Sequence, residues 1–506
     1  MTRYQRKKID MRYLLYSVLI LSISILLYTC QQSELKKGER LAQKYCAVCH
    51  LFPEPSLLDK KTWENGVMPK MAFRMGLDNS ELYSVSAKDF EVVLKTIPGS
   101  PMLTQEEFDL ITKYYRFNAP DSLITDVPET QPVTQFQAEE WRLPGNRIPQ
   151  ITLIKSDPAD KNIWLGNRSS VLYKLGYNLQ VADSFRIGSP ASSVLFEKKS
   201  NPLVLAMGDM DPNDQPSGAL VRLRPDRSIQ VVLDSLKRPA SIEVADLDKD
   251  GLDDYIVCAF GNYTGSLMVF KNLGGNSFNK YTLSNLPGAR KTVVHDFDND
   301  GLPDIAALIT QGDEQVQLFL NSGNFNFRVI TLLRFPPVYG SSYFELVDFN
   351  ADGKPDILYS NGDNADFSIT LKPYHGIRIF INQGGFQFEP KWFYPMHGTS
   401  QTIAHDFDSD GDIDIAAISF FPDFTKPENG FLYLENQNQG LSFKAFTSPL
   451  AANGRWLRME SIDLDEDQDM DLLLCALHFE DGVPKPIAME WREKKTALLI
   501  LRNQKH

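Results

Sequence analysis

The chain has 506 residues, more than one ordinary domain of roughly 100–200 residues. Its 42% hydrophobic content is that of a globular protein able to bury a large core. A net charge of −13 argues against nucleic acid as a partner.

Residues 1–29 read as a targeting segment. Arg6, Lys7, Lys8 and Arg12 form a positive region, and an apolar run from Leu14 to Leu27 ends in Leu27-Tyr28-Thr29-Cys30. This resembles a bacterial lipoprotein signal, although Tyr28 is bulkier than the usual residue there. The resemblance implies that Cys30 becomes the lipidated N-terminus and anchors an exported chain to a membrane, in the periplasm or at the outer membrane or cell surface. An uncleaved membrane helix is the alternative, but the run of 14 residues is short of the ~20 that a spanning helix needs. Both readings export the rest of the chain.

Residues 30–120 carry Cys46-Ala47-Val48-Cys49-His50, the C-x-x-C-H spacing of covalent haem c attachment. Two thiols and an imidazole on about one helical turn can hold the porphyrin and reach its iron from one side. A redox C-x-x-C would sit in a βαβ pattern, and a zinc site would need a second ligand pair; neither is nearby. Ser33 to Tyr45 reads as an amphipathic helix, and Thr104 with Glu107 as a capping box opening a second one. The segment resembles a small class I-like cytochrome c, which implies that its first and last helices pack together. A methionine is the expected distal ligand: Met71 first, then Met102, with Met68 and Met75 as further options. Residues 121–145 are proline-rich and polar, and read as a linker.

From 146 to 506 one pattern recurs five times, D-x-D/N-x-D-(G)-x-x-D followed by a short apolar strand. The copies are Asp246, Asp248, Asp250, Asp254; Asp296, Asp298, Asp300, Asp304; Asp348, Asn350, Asp352, Asp356; Asp406, Asp408, Asp410, Asp414; and Asp463, Asp465, Asp467, Asp471. Oxygens at alternate positions of a tight loop converge on one hard cation, and a glycine permits the turn. An EF-hand would place a glutamate at position twelve and helices on both sides; here the flanks read as strands. These are therefore expected to be Ca²⁺ loops. In the fifth, Gln468 replaces the glycine, so strain or weak binding is expected there. The copies start 50, 52, 58 and 57 residues apart, the span of a four-stranded propeller blade. Strands upstream, with Gly208-Asp209-Met210-Asp211 as a degraded loop, bring the count to seven blades.

The repeats resemble the FG-GAP/VCBS family, including the integrin α-chain propeller. The expected fold is a small all-α cytochrome c domain followed by an all-β seven-bladed β-propeller with calcium-binding loops. Of the five cysteines, Cys258 and Cys475 fall at equivalent strand positions and read as buried thiols, leaving no disulfide framework.

If every acidic loop joins the first and second strands of a blade, the opposite face gathers Arg, Lys, His and aromatic groups. Arg290, His375, His397 and Arg458 are the first choices for binding a carbohydrate or an anionic small molecule. Three functions compete: an electron carrier whose propeller docks a redox partner protein, a haem-linked oxidoreductase or lyase acting on a sugar, and a surface adhesion module. No nucleophile–base pair stands out to define an enzymatic reaction.

Overall fold

A computed structural model describes residues 11–197, 201–363, 368–437 and 440–504. Arg6, Lys7 and Lys8 lie outside the described residues, as do the side chains of Arg12 and Cys30 and part of the 361–375 loop. The chain divides into two units, Met1–Tyr83 with Ile97–Ser122, and Ser84–Thr96 with Leu123–His506.

The first unit is helical. Helix α1 (Met11–Cys46) runs unbroken through the targeting segment to the first haem-motif cysteine. Among the described residues no helix is long and apolar enough to cross a membrane. Short helices follow, including α2 (Met68–Arg74), and then α3 (Gln105–Asn118). The capping box at α3 is formed: Thr104 Oγ1 accepts from Glu107 N at 3.2 Å, and Glu107 Oε2 accepts from Thr104 N at 3.0 Å. Helices α1 and α3 pack together at a close crossing, where a Cβ on Gly38 would lie 2.3 Å from the Leu110 carbonyl oxygen. Under the crossing, the Tyr115 ring packs against Trp63 at 4.3 Å, tilted by 40°, and its hydroxyl donates to the Pro53 carbonyl. The short helices do not by themselves define a cytochrome fold.

The second unit is a seven-bladed β-propeller. Seven sheets of four strands follow one another, one of them with an additional edge strand. The first strand of each blade packs beside the first strand of the next, round to the contact between the seventh blade and the first. The second strands carry the core. Asp254–Ala259, Asp304–Ile309, Asp356–Asn361, Asp414–Ser419 and Asp471–Ala476 are buried at every position, as continuous apolar runs demand.

The domain boundaries differ from the expected ones. The stretch 121–145 is only partly a linker. Gln131–Pro132 pairs in parallel with the edge of the sixth blade, and Phe136–Trp141 is the outermost strand of the seventh, antiparallel to Leu498–Asn503. Ser84–Thr96, inside the segment assigned to the cytochrome, groups with the propeller; its Asp89 carboxylate accepts from Asp214 N and Gln215 Nε2.

Gly38→Ala tests the helix crossing. Helix propensity alone would favour alanine by about 1 kcal/mol. The clash with a backbone carbonyl that cannot swing away opposes it by about 1–3 kcal/mol. A net loss of stability in chemical denaturation of the helical unit is expected; a gain would show that α1 and α3 do not cross at Gly38.

Candidate functional site

The five acidic loops lie where the repeat register places them, each between the first and second strands of blades three to seven. The first aspartate of each copy folds the loop. Asp246 accepts from Asp250 N and Gly251 N at 3.0 and 2.9 Å, and Asp348, Asp406 and Asp463 repeat the pattern. Asp296 keeps the second of these bonds, from Gly301 N at 2.9 Å. The sixth position has positive φ in every copy: Gly251, Gly301, Gly353 and Gly411, and Gln468 at +76°. The fifth loop therefore holds a glutamine in a conformation that suits glycine, the strain expected of it.

Three carboxylates converge in four loops: Asp246, Asp248 and Asp250; Asp296, Asp298 and Asp300; Asp406, Asp408 and Asp414; Asp463, Asp465 and Asp467. The blade-five loop offers two carboxylates, Asp348 and Asp352, and the Asn350 amide. Among the described residues Asp248 Oδ1 and Asp296 Oδ1 are buried and accept no hydrogen bond, and a hard cation would satisfy such oxygens. Burial, together with the neighbouring carboxylates, pushes Asp408 up to about 6. The oxygen-only donor set thus fits Ca²⁺.

The last aspartate of each copy, expected as a metal ligand, also holds the loop to the blade. Asp254, Asp304, Asp356, Asp414 and Asp471 are fully buried at the start of the second strand. In each, one oxygen accepts from the second residue of the loop, as from Leu247 N at 3.1 Å. The other oxygen accepts from the backbone N of an asparagine ending the third strand, Asn272, Asn321, Asn382, Asn436 or Asn503, at 2.7–2.8 Å. That asparagine's side chain donates back to the carbonyl preceding the aspartate. The pair brackets the loop onto the blade, and only Asp414 also joins a carboxylate cluster. Sequence spacing hid the asparagine because it falls at a different distance from the loop in every copy.

The residue before this asparagine separates the loops. In blade three it is Lys271, whose ammonium contacts Asp248 and lies 3.3 Å from Asp250. In blade seven it is Arg502, 3.5 Å from Asp465. In blade six it is Glu435, and in blades four and five the apolar Leu320 and Ile381. Blades three and seven thus carry a cation of their own against the loop.

The opposite mouth contains a cavity of about 270 Å³. A β-bulge opens the first strand of every blade, at Thr152, Ser192, Ala240, Arg290, Ser342, Ser400 and Leu457. Bulges redirect side chains and are enriched beside functional sites. Four of these residues clasp the next blade by a hydroxyl: Thr152 to Ala191 O, Ser192 to Pro239 O, Ser342 to Thr399 O and Ser400 to Trp456 O, at 2.7–3.2 Å. Blade four has Arg290 there instead, and its guanidinium lines the cavity with Arg238 and Arg458. Gly208–Asp211 is not a degraded calcium loop. It follows the second strand of blade two, on the mouth side, where Met210 lines the cavity.

Arg238 is held by the carbonyls of Met210 and Gly261 and stacks on Phe260. Arg290 lies 3.6 Å from Asp363; burial and the neighbouring Arg458 and Arg238 draw its guanidinium down to about 10. Burial pushes Glu314 up to about 7, while Gly340 and Ser341 donate to it. Of the four residues chosen from sequence, the mouth brings together Arg290 and Arg458. His375 and His397 do not reach the cavity: both are buried in the wall, and burial holds both imidazoles below their usual range. Glu314, Asp363 and Lys372 also line the cavity from loops between second and third strands, and repeat spacing does not mark them. The bulges were legible in principle, since each lies six residues before the first loop aspartate in blades three to seven.

In the helical unit, Cys46 is buried beneath Tyr115 and burial pushes its thiol up to about 11, whereas Cys49 is exposed. His50 Nδ1 lies 2.9 Å from the Leu51 carbonyl. Met68 and Met75 are buried, Met71 is half-buried on α2, and Met102 is exposed. Cys258 and Cys475 are fully buried, and burial pushes both thiols up to about 12.

Residues 246–307 and 296–359 match the FG-GAP-like repeat family. Among solved structures, the chain is similar to the N-terminal domain of Nup159, at 11% identity over 75% of this chain and 99% of that one, with a TM-score of 0.44. It is also similar to the Neurospora crassa Pan2 WD40 domain, at 10% over 75% and 98%, with a TM-score of 0.45. A third is BBS1N in complex with ARL6DN, at 12% over 73% and 97%, with a TM-score of 0.43. No curated protein matches the chain. The chain carries FG-GAP-like repeats within a seven-bladed β-propeller, an architecture that fits a binding or docking module.

Two predictions follow from these sites. Calcium added to metal-free protein is expected to raise the propeller's melting temperature, because a ligand at ten times its dissociation constant stabilises by about 1.4 kcal/mol per site. Asp298→Ala should blunt that response more than Asp467→Ala, whose loop already holds a strained Gln468 and a nearby Arg502. A melting curve indifferent to calcium would contradict a cation-holding role. The second concerns Glu345, on the first strand of blade five, which burial pushes up to about 7 against the attraction of Lys291. Its folded-state value lies above the ~4.3 of an unfolded chain, so its contribution is full below about pH 4 and is lost as pH rises through about 7. Glu345→Gln should therefore raise the melting temperature at pH 8 and have less effect at pH 5; equal shifts at both would contradict the burial argument.

Proposed function

We propose that the chain is an exported, lipid-anchored haem protein that passes single electrons, with a propeller that docks its redox partner or a ligand. The observation that carries this reading is the donor set at the end of α1. Cys46 closes the helix, Cys49 presents an exposed thiol, and His50 follows at once. The His50 Nδ1 contact to a carbonyl is of the kind that orients a metal-bound imidazole. The close packing of α1 against α3 supports the resemblance to cytochrome c. When bound, a haem c would supply a one-electron redox centre. Cys46 and Cys49 would hold it covalently, and His50 and Met71 would be the side chains offered to its iron.

The chain's own residues account for the rest. Cys30 would take the lipid and keep the protein at a membrane surface. The acidic loops would hold Ca²⁺ and rigidify one face of the propeller, leaving the mouth free to dock.

Acid–acetone extraction of the exported protein tests the haem: it should remain with the polypeptide, and Met71→Ala should remove a methionine–iron charge-transfer band. Haem in the organic phase, or haem-free protein, would end the electron-transfer reading. Cys30→Ser should release the protein from the membrane fraction, and unchanged sedimentation with membranes would refute the lipid anchor.

A further inference from the structure

The cavity at the propeller mouth has its own chemistry. Four cationic groups border it, Arg238, Arg290, Arg458 and Lys372, against two carboxylates, Asp363 and Glu314. Each of the two carboxylates has partners of its own. Glu314 is turned onto the Gly340 and Ser341 amides and the Ser341 hydroxyl, and Asp363 lies 3.6 Å from one arm of Arg290. Arg290 Nε is buried with no hydrogen-bond partner. Among the described residues no carboxylate pairs with Arg458. A buried guanidinium N–H without a partner is unfavourable, so it calls for an acceptor.

The remaining wall says what that acceptor is attached to. The side-chain amides of Asn262 and Gln311 face no partner among the described residues and can both donate and accept. Met207 and Val338 offer apolar contact. A volume of about 270 Å³ is at the small end of the roughly 300–1,000 Å³ typical of small-molecule pockets. These features suit a small anion that also carries hydroxyls. Arginine recognises a carboxylate through paired N–H donors, and the amides serve hydroxyls.

We propose that this cavity binds a hydroxylated carboxylate of monosaccharide size, a uronic acid, with Arg290 and Arg458 taking the carboxylate and Asn262 and Gln311 the hydroxyls. This deepens the reading of the propeller as a docking module and rests on it. It does not depend on the haem or on the acidic loops.

Isothermal titration calorimetry of the full, calcium-loaded chain tests it with D-galacturonate, D-galactose and inorganic phosphate. Galacturonate should bind at one site and at least tenfold more tightly than either galactose or phosphate. Arg458→Ala should weaken galacturonate at least tenfold without lowering the melting temperature, since that side chain has no carboxylate partner to lose; Arg458→Lys should restore part of the affinity. Arg290→Ala should weaken binding similarly. Galacturonate binding no better than galactose would overturn the carboxylate assignment. Phosphate binding as tight as galacturonate would reduce the cavity to an anion pocket and overturn the sugar assignment. Indifference to Arg458→Ala would place any binding elsewhere and overturn the site. Haem retention and the calcium response, measured on the same preparation, report separately on the proposed function.

Discussion

Everything in the propeller depends on closing the ring. An open array of blades would leave a strand edge at each end, and an unpaired edge is a template for aggregation. Here the last blade supplies three of its strands from the C-terminal end of the chain and borrows the fourth, Phe136–Trp141, from before the first blade. The join is tied beyond its ladder. Gln135 Nε2 donates to Asn503 Oδ1, the Asn503 backbone N donates to Asp471, and Asn503 Nδ2 reaches the Phe407 carbonyl in the neighbouring blade. Phe136 fills the seam edge-on, 5.6 Å from Phe407 and 5.3 Å from Tyr433. Closure fixes the seven first strands side by side, and that fixes both faces.

The two faces then divide the chemistry. On one, each loop is bracketed by an aspartate and an asparagine, so the converging carboxylates are held together whatever occupies them. Like charges at such short range repel strongly, which is why the bracket and a cation both matter to these loops. On the other, four of the seven bulges make blade-to-blade clasps, one presents an arginine, and Ala240 and Leu457 do neither. The same backbone feature serves stability in four blades and presents a charged group in the fourth blade of the ring. Arg455 shows how readily such a charge can instead be structural. It is buried, bonded to the carbonyls of Phe420, Phe479 and Asp481, and lies over three phenylalanine rings.

The repeats were legible because their chemistry has a fixed spacing. Five D-x-D/N-x-D runs in register imply a loop between strands, and the blade count and the face carrying the loops follow from it. The closing strand was not legible. It is short, half-exposed and preceded by prolines, so it carries neither a clean alternation nor an apolar run, and it reads as linker until its partner is known. The backbone bonds of the last aspartate were not legible, because spacing shows a carboxylate at that position and not which amides it accepts from. Likewise, a histidine in a mouth loop looks available in sequence, whereas His375 and His397 are packed into the wall. Arg290 and Arg458 were legible because both sit at the start of a first strand, where the register of the loop fixes their position.

Native-state hydrogen exchange across the seventh blade tests the closure most directly. The paired amides of residues 136–141 should exchange as slowly as those of Leu472, Leu473 and Leu474 on the buried strand of the same blade, because all belong to one cooperative sheet. Fast exchange at 136–141 while 472–474 remain protected would show that this strand does not close the ring.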